Sequence, residues 1–144
     1  MRSDAYFENR KRGLPQLFFN SLRVGSALTD IYVADAFGSA VPVNELNSTG
    51  TDADPSITAD GLEIFFHSNR TGSAGSDIYS SVRKSVLESW SEPRTLGSVV
   101  NTAASDNLVA ISPDGETLFF TSTRAGGFGL NDIYVTTRTM HQRP

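Results

Sequence analysis

The sequence predicts an all-β fold made of β-propeller blades, with about three four-stranded blades in the chain. Three observations predict it. One residue pattern occurs three times, each copy holds short apolar segments bounded by turn residues, and no segment has the features of a stable helix. The Asp-Ile-Tyr triplets that begin at Asp30, Asp77 and Asp132 mark the copies, at intervals of 47 and 55 residues. Four short strands in a repeat of this length are typical of a propeller blade.

The repeats divide the chain into blades at about residues 3–44, 45–97 and 98–138, with a tail at 139–144. In the second and third copies an apolar segment comes first, an Asp-Gly turn and a Phe-rich segment follow, and a loop leads to the Asp-Ile-Tyr triplet; the first copy has the same order without the Asp-Gly turn. Each of these segments predicts a strand. A short fourth strand is predicted at 41–43 and 93–96, but not in the third copy. The predicted first strands are 5–9, 55–58 and 108–112, and the Phe-rich ones in the later copies are 62–68 and 117–122.

The Phe-rich strands are apolar on both faces. In the second copy Ile64 and Phe66 point one way and Phe65 the other, and Phe119 opposes its neighbours in the same manner. A strand of this kind must be covered on both sides, which adjacent blades of a propeller do. The best helix candidate, 82–90, is brief and lacks a clear cap, so we expect an irregular excursion there.

The third copy reads Ser112-Pro113-Asp114-Gly115, then 118–122 (Leu-Phe-Phe-Thr-Ser), then Arg124, glycines and 132–135 (Asp-Ile-Tyr-Val). This pattern resembles the WD40-like propeller repeat of TolB-type proteins. The second copy departs from it with Thr58-Ala59 in place of Ser-Pro, and the first has 9–13 in place of the turn. The resemblance implies a propeller scaffold for protein or glycan contacts, often periplasmic or extracellular, with no shared catalytic residue.

Composition excludes several classes of protein. The chain has 144 residues, a formal charge of −4 and no cysteine, which leaves no disulfide framework, thiolate nucleophile or Cys-ligated zinc. No basic patch suits nucleic acid or anionic lipid, and no apolar run is long enough for a membrane span. No cofactor or metal is expected. The start of the sequence has no signal-peptide pattern, so the compartment stays unknown.

Three blades are fewer than the four that a closed propeller needs. Two solutions are open. The chain is one piece of a longer propeller, or two copies meet about a two-fold axis and form a six-bladed ring. Because the sequence begins with Met directly at the first blade, we favour the homodimer.

The strongest polar constellation joins the three triplet aspartates to Arg23, Arg70 and Arg124. Such groups are able to hold an anionic ligand. Their recurrence in every copy favours the alternative, in which acid and base close each hairpin loop by binding the loop amides and each other. Two pairs also offer oxygen ligands for calcium, Asp52 with Asp54 and Asn131 with Asp132, but neither has the spaced carboxylates of a calcium loop.

The predicted function is a non-catalytic scaffold that binds a protein or glycan partner through loops at one end of the ring. The alternative is a glycosidase-related or lyase-like enzyme, which needs paired carboxylates in the central channel. His67 and Trp90 are interpreted as packing residues, with sugar stacking by Trp90 as a further possibility. We expect partner contacts at six residues: Asp52, Asp106, Asn101, Arg70, Arg124 and Phe128.

Overall fold

The computed structural model describes residues 15–23, 28–35 and 38–139. These residues form ten strands in three small antiparallel sheets. The first sheet has the order β1-β2-β3, the second β4-β5-β6-β7 and the third β8-β9-β10. The strands are β1 (Gln16–Ser21), β2 (Asp30–Asp35), β3 (Val41–Pro42), β4 (Asp52–Ile57), β5 (Glu63–Ser68), β6 (Asp77–Val82), β7 (Arg94–Thr95), β8 (Asp106–Ile111), β9 (Thr117–Ser122) and β10 (Asp132–Thr137).

The all-β prediction is confirmed. No helix occurs in the part of the chain that the structure describes; Val82 ends β6, and the rest of the segment 82–90 is irregular as expected. Within the same residues no helix has the length and apolarity to cross a membrane. Three predicted features lie outside the described residues: the first strand at 5–9, the altered turn at 9–13, and most of the tail, including His141.

The Asp-Gly turns between the first two strands of the later copies form as predicted. Gly61 and Gly115 have φ values of 69° and 75°, in the region that favours glycine. In the second copy, the Asp60 carboxylate accepts hydrogen bonds from Thr58 Oγ1 at 2.6 Å and from the Leu62 amide at 2.9 Å. The turn is therefore closed from both sides by one carboxylate.

The first strands of the second and third copies begin earlier than predicted, at Asp52 and Asp106 instead of 55 and 108. Each contains a bulge, since the register with the next strand shifts between Ala53 and Ser56 and at the equivalent place in β8. The bulges hold Asp54 and Leu108 at positive φ, 53° and 46°. The residues added at each start, 52–54 and 106–107, are mostly polar, so the apolar pattern placed the strand start too late.

Two apolar clusters fill the spaces between the sheets. One joins the first and second sheets around Ile31, Leu46 and Phe66, and the other joins the second and third around Ile78 and Phe120. The second sheet is therefore the middle layer, apolar and covered on both faces. The predicted need for covering layers is met for this sheet by its neighbours in the chain.

Candidate functional site

All six predicted contact residues lie at one end of the sheets, which we call the loop end. It comprises the connectors 46–52 and 100–106 and the hairpin loops that begin at residues 69 and 123. The strand register explains the grouping, because Asp52 and Asp77 both lie opposite Ser68, one on each side of β5. In the second and third copies, antiparallel pairing therefore brings together the start of the first strand, the end of the second and the start of the third.

Asn101 docks the connector of the third sheet onto the second sheet. Its side-chain Oδ1 accepts a hydrogen bond from the Ile78 amide at 2.7 Å, and its Nδ2 donates to the Ile78 carbonyl at 2.8 Å and to Thr95 Oγ1 at 2.7 Å. Asn47 makes the same pair of bonds to Ile31, at 2.7 and 3.0 Å. One carboxamide thus satisfies both polar groups of a backbone residue, as a neighbouring strand would.

Asp106 is the centre of a buried network at the same junction, with no exposed surface. Its Oδ2 accepts from the Thr102 amide at 2.7 Å and from Thr102 Oγ1 at 3.1 Å, and its Oδ1 accepts from Arg124 Nη2 at 2.8 Å. The same Nη2 donates to the Val100 carbonyl at 2.5 Å. The junction between the first and second sheets repeats this network, with the equivalent residues Leu46, Ser48, Asp52 and Arg70.

In each sheet, the arginine that follows the Phe-rich strand lies over a pair of stacked aromatic rings. The Arg70 guanidinium carbon is 5.2 Å from the Phe66 ring centroid and 4.7 Å from that of Tyr79. These are cation–π distances. The arrangement occurs in all three sheets, as Arg23 over Phe19 and Tyr32, Arg70 over Phe66 and Tyr79, and Arg124 over Phe120 and Tyr134.

The predicted pairing of Arg70 and Arg124 with the triplet aspartates is wrong. Arg70 pairs with Asp52 at 2.6 Å, not with Asp77, because its Nε donates to Ser68 Oγ at 2.9 Å and directs the guanidinium toward β4. The other half of the interpretation is confirmed at Asp132, whose Oδ2 accepts from the loop amides of Phe128 at 3.0 Å and of Gly129 at 3.3 Å.

The two carboxylates at the second junction have pKa values that move in opposite directions. Burial raises the pKa of Asp77, with a further increase from the nearby charge of Asp106 and a partial decrease from the Ala74 amide. Burial would also raise the pKa of Asp106, but hydrogen bonds from Ser122, Arg124 and Thr102 outweigh it, and the pKa lies below its usual value of 3.8. Asp106 is therefore an ionised structural anchor.

Phe128 differs from the other five predicted contact residues. It is fully exposed at the tip of the third hairpin loop, whereas the other five are buried or half-buried and bonded to the chain itself. The loop conformation depends on Gly127, since a Cβ there would lie 1.8 Å from Asp132 Oδ2.

Sequence reasoning missed Asn47, Ser48 and Thr102 as members of the networks, although their 54-residue spacing was a usable signal.

The two other singled-out side chains are packed. Trp90 is 6% exposed and lies edge-on to Phe18, with ring centroids 5.9 Å apart, so the packing interpretation is confirmed and its ring is not available to a sugar. His67 Nδ1 lies 3.1 Å from Asp54 Oδ2, between β5 and the bulge of β4. This contact adds an ionisable partner to the predicted packed histidine.

Two cavities are notable, and apart from Val100 the residues that line them lie outside the loop end. One of about 250 Å³ lies between the second and third sheets, and the other lies beside the irregular segment 84–91. Among the described residues, the first cavity is lined by one carboxylate side chain, Glu116, and the second also by one, Glu88. Neither cavity therefore supplies the acid pair that the enzyme alternative requires.

The sequence matches no protein-family model, and no curated protein is significantly similar to it. Solved structures do share the fold. A protein assigned as TolB from Agrobacterium tumefaciens matches 85% of this chain with a TM-score of 0.59 and 22% identity, over 41% of its own length. TolB from Acinetobacter baumannii matches 85% with a TM-score of 0.56 and 20% identity, over 27% of its length. The chain thus spans less than half of each structure, and its sheets form a TolB-type β-propeller-like repeat.

Proposed function

We propose that this chain is a non-catalytic binding module built from three propeller blades, at about residues 3–44, 45–97 and 98–138, and that further blades close the ring. The observation that supports closure is the outer face of the third sheet. Ile133 is 77% exposed, whereas its counterpart Ile78 is completely buried, and Phe119 is 45% exposed against 2% for Phe65. Ile78 and Phe65 are covered by the third sheet, so the third sheet's outer face has the composition of a surface that meets another blade.

We favour a second copy of the chain as the source of those blades. Two copies related by a two-fold axis would bury both outer faces and give a six-bladed ring. The alternative source is a longer polypeptide that contains this chain. The resemblance to TolB-type repeats supports either source, together with a periplasmic or extracellular location.

Partner binding is proposed at the loop end, with Phe128 as the residue in contact. The supporting observation is that Phe128 is exposed on a loop whose amides Asp132 fixes. The loop therefore loses little conformational entropy on binding. Asn101, Asp106 and Arg124 would support this surface from below. The partner class is a protein or a glycan, for which an exposed aromatic ring is a suitable anchor.

Light scattering at micromolar concentration tests the closure. A dimer has twice the 15.5 kDa mass of the chain, and Ile133→Glu should reduce the mass to that of one chain, whereas Leu87→Glu, on an exposed residue of the irregular segment, should not. A wild-type chain with the mass of one copy contradicts closure by a second copy.

A glycan array and a capture experiment from bacterial envelope extract test the binding role separately. We expect binding that Phe128→Ala abolishes and Leu87→Ala preserves. Binding that is equal in both variants would contradict the assignment of the loop end as the binding surface, whatever the oligomeric state.

A further inference from the structure

The cavity between the second and third sheets corresponds to a place that Trp90 fills between the first and second. The internal repeat makes the comparison direct. The cavity walls include Phe65, Val100, Leu118 and Arg138. Their counterparts one repeat earlier are Phe18, Leu46, Ile64 and Arg83. Leu46, Ile64 and Trp90 belong to one apolar cluster, Phe18 packs against that cluster, and Arg83 lies over the Trp90 ring.

The two arginines are held in the same way. Arg83 Nε donates to the Gly61 carbonyl at 2.7 Å, and Arg138 Nε donates to the Gly115 carbonyl at 2.8 Å. Each guanidinium lies over the equivalent phenylalanine ring, Arg83 at 5.8 Å from Phe18 and Arg138 at 5.5 Å from Phe65. The backbone and the first aromatic contact therefore match at both junctions.

The junctions differ in the partner of the guanidinium and in the second aromatic ring. Arg138 donates to both carboxylate oxygens of Glu63, at 3.0 and 2.5 Å, whereas Arg83 donates to the side-chain oxygen of Gln16 at 3.0 Å. Arg83 lies 4.3 Å from the Trp90 ring centroid and is only 4% exposed. Arg138 has no counterpart of this contact within the described residues, and its side chain is 40% exposed. At the first junction the Arg83 guanidinium is thus buried between two rings, whereas at the second junction one face of the Arg138 guanidinium is open.

The size and lining of the cavity suit an aromatic ring. Its volume is about 250 Å³, and its walls are mostly aliphatic and aromatic. An apolar cavity of about 150 Å³ already accepts benzene. A larger bicyclic ring such as indole therefore fits, with its face available to the Arg138 guanidinium.

We propose that this cavity is a binding site for a tryptophan side chain presented by a polypeptide segment. Trp90 shows how such a ring enters, because it reaches the first junction on the irregular segment that follows Arg83. Residues 139–144 contain no tryptophan, tyrosine or phenylalanine, and the occupant that we propose is a tryptophan of a partner polypeptide. The site lies on the flank of the sheet junction and does not depend on the partner surface proposed at the loop end.

NMR titration of the full chain with indole and with N-acetyltryptophanamide tests the proposal. We expect saturable shifts of the methyl groups of Val100 and Leu118 at millimolar concentrations, and weaker binding by about two- to fivefold in Arg138→Gln, which loses the cation. Cyclohexanol serves as a probe that is apolar but not aromatic, and its affinity should not change in Arg138→Gln.

Trp90→Ala supplies the matched control, since it opens the equivalent cavity at the first junction. In this variant indole should bind at two places and should also shift the methyl groups of Leu46 and Ile64. If that variant fails to fold, the wild-type titration still decides. Absence of shifts at Val100 and Leu118 overturns the proposal, and so does equal binding of indole to wild type and Arg138→Gln.

Discussion

The junction between the second and third sheets depends on one small side-chain group, the carboxamide of Asn101. It is 9% exposed and makes three hydrogen bonds, two of them to the backbone of Ile78, which is completely buried. Replacement by alanine removes these bonds and leaves the Ile78 amide and carbonyl without that partner in an apolar cluster.

The expected cost follows mainly from the Ile78 amide, because the Ile78 carbonyl also accepts a hydrogen bond from the Leu96 amide at 3.2 Å and keeps it. A buried polar group that loses its partner costs about 1–3 kcal/mol. With the smaller loss at the carbonyl, Asn101→Ala should cost about 1–4 kcal/mol. Domains of this kind have a total free energy of unfolding of about 5–15 kcal/mol, so Asn101→Ala should remove a large part of it.

Urea unfolding and amide hydrogen exchange measure the effect. We expect a lower urea midpoint and loss of protection at the Ile78 amide specifically, because Asn101 Oδ1 is its acceptor. The matched control is Asn44→Ala, the same substitution at an exposed position, which should change stability by less than about 0.5 kcal/mol.

Asn47→Ala breaks the equivalent contact to Ile31 and should cost less than Asn101→Ala, since Asn47 is only half-buried. If Asn101→Ala is as stable as the control and the Ile78 amide stays protected, the docking role of the carboxamide is refuted.

Two further predictions concern carboxylates and glycines. Asp106→Asn should destabilise the fold at neutral pH, and its difference from wild type should shrink in acid. The reason is that the pKa of Asp106 is lower in the folded state than the usual 3.8. The stability that this provides is complete above pH 3.8 and is lost as the pH falls through the pKa of the folded state. Asp77→Asn should instead stabilise the fold at neutral pH and have no effect well below pH 3.8, since its raised pKa makes ionisation unfavourable in the fold. Urea unfolding from about pH 2 to about pH 7 distinguishes the two, because this range extends well below both values. Gly127→Ala should destabilise by about 1 kcal/mol because its Cβ would displace Asp132 from the loop amides, whereas Gly129→Ala has no atom within 4 Å of the added carbon and should be neutral in thermal unfolding.

The strands were predictable because their signals are local. The Asp-Gly turns and the Phe-rich segments recur in the later copies, and each segment forms a strand close to its predicted bounds. The partner of Arg70 was not predictable in this way. Asp52 and Asp77 flank the same residue of β5 from opposite sides, and only the direction of the Arg70 side chain selects between them.

The burial of individual side chains could not be predicted from the local sequence either. Phe65 and Phe119 occupy the same place in nearly identical segments, but one is 2% and the other 45% exposed. The difference arises from what lies next to each sheet, since the third sheet covers only the second. The predicted contact residues show the same limit, because repetition identified them as important without indicating that most hold the connectors in place.

The spacing of the docking network has a consequence for engineering the chain. Asn47 and Asn101 lie 54 residues apart, and each network joins a connector to the sheet before it. Removal of residues 48–101 would join Asn47 to Thr102. The Asn47 carboxamide would still bind Ile31, and the Asp106 network would follow it in the chain. Arrays of this repeat should therefore lengthen or shorten by whole periods cut next to the asparagine, because each asparagine then stays in one chain with the backbone residue that it docks.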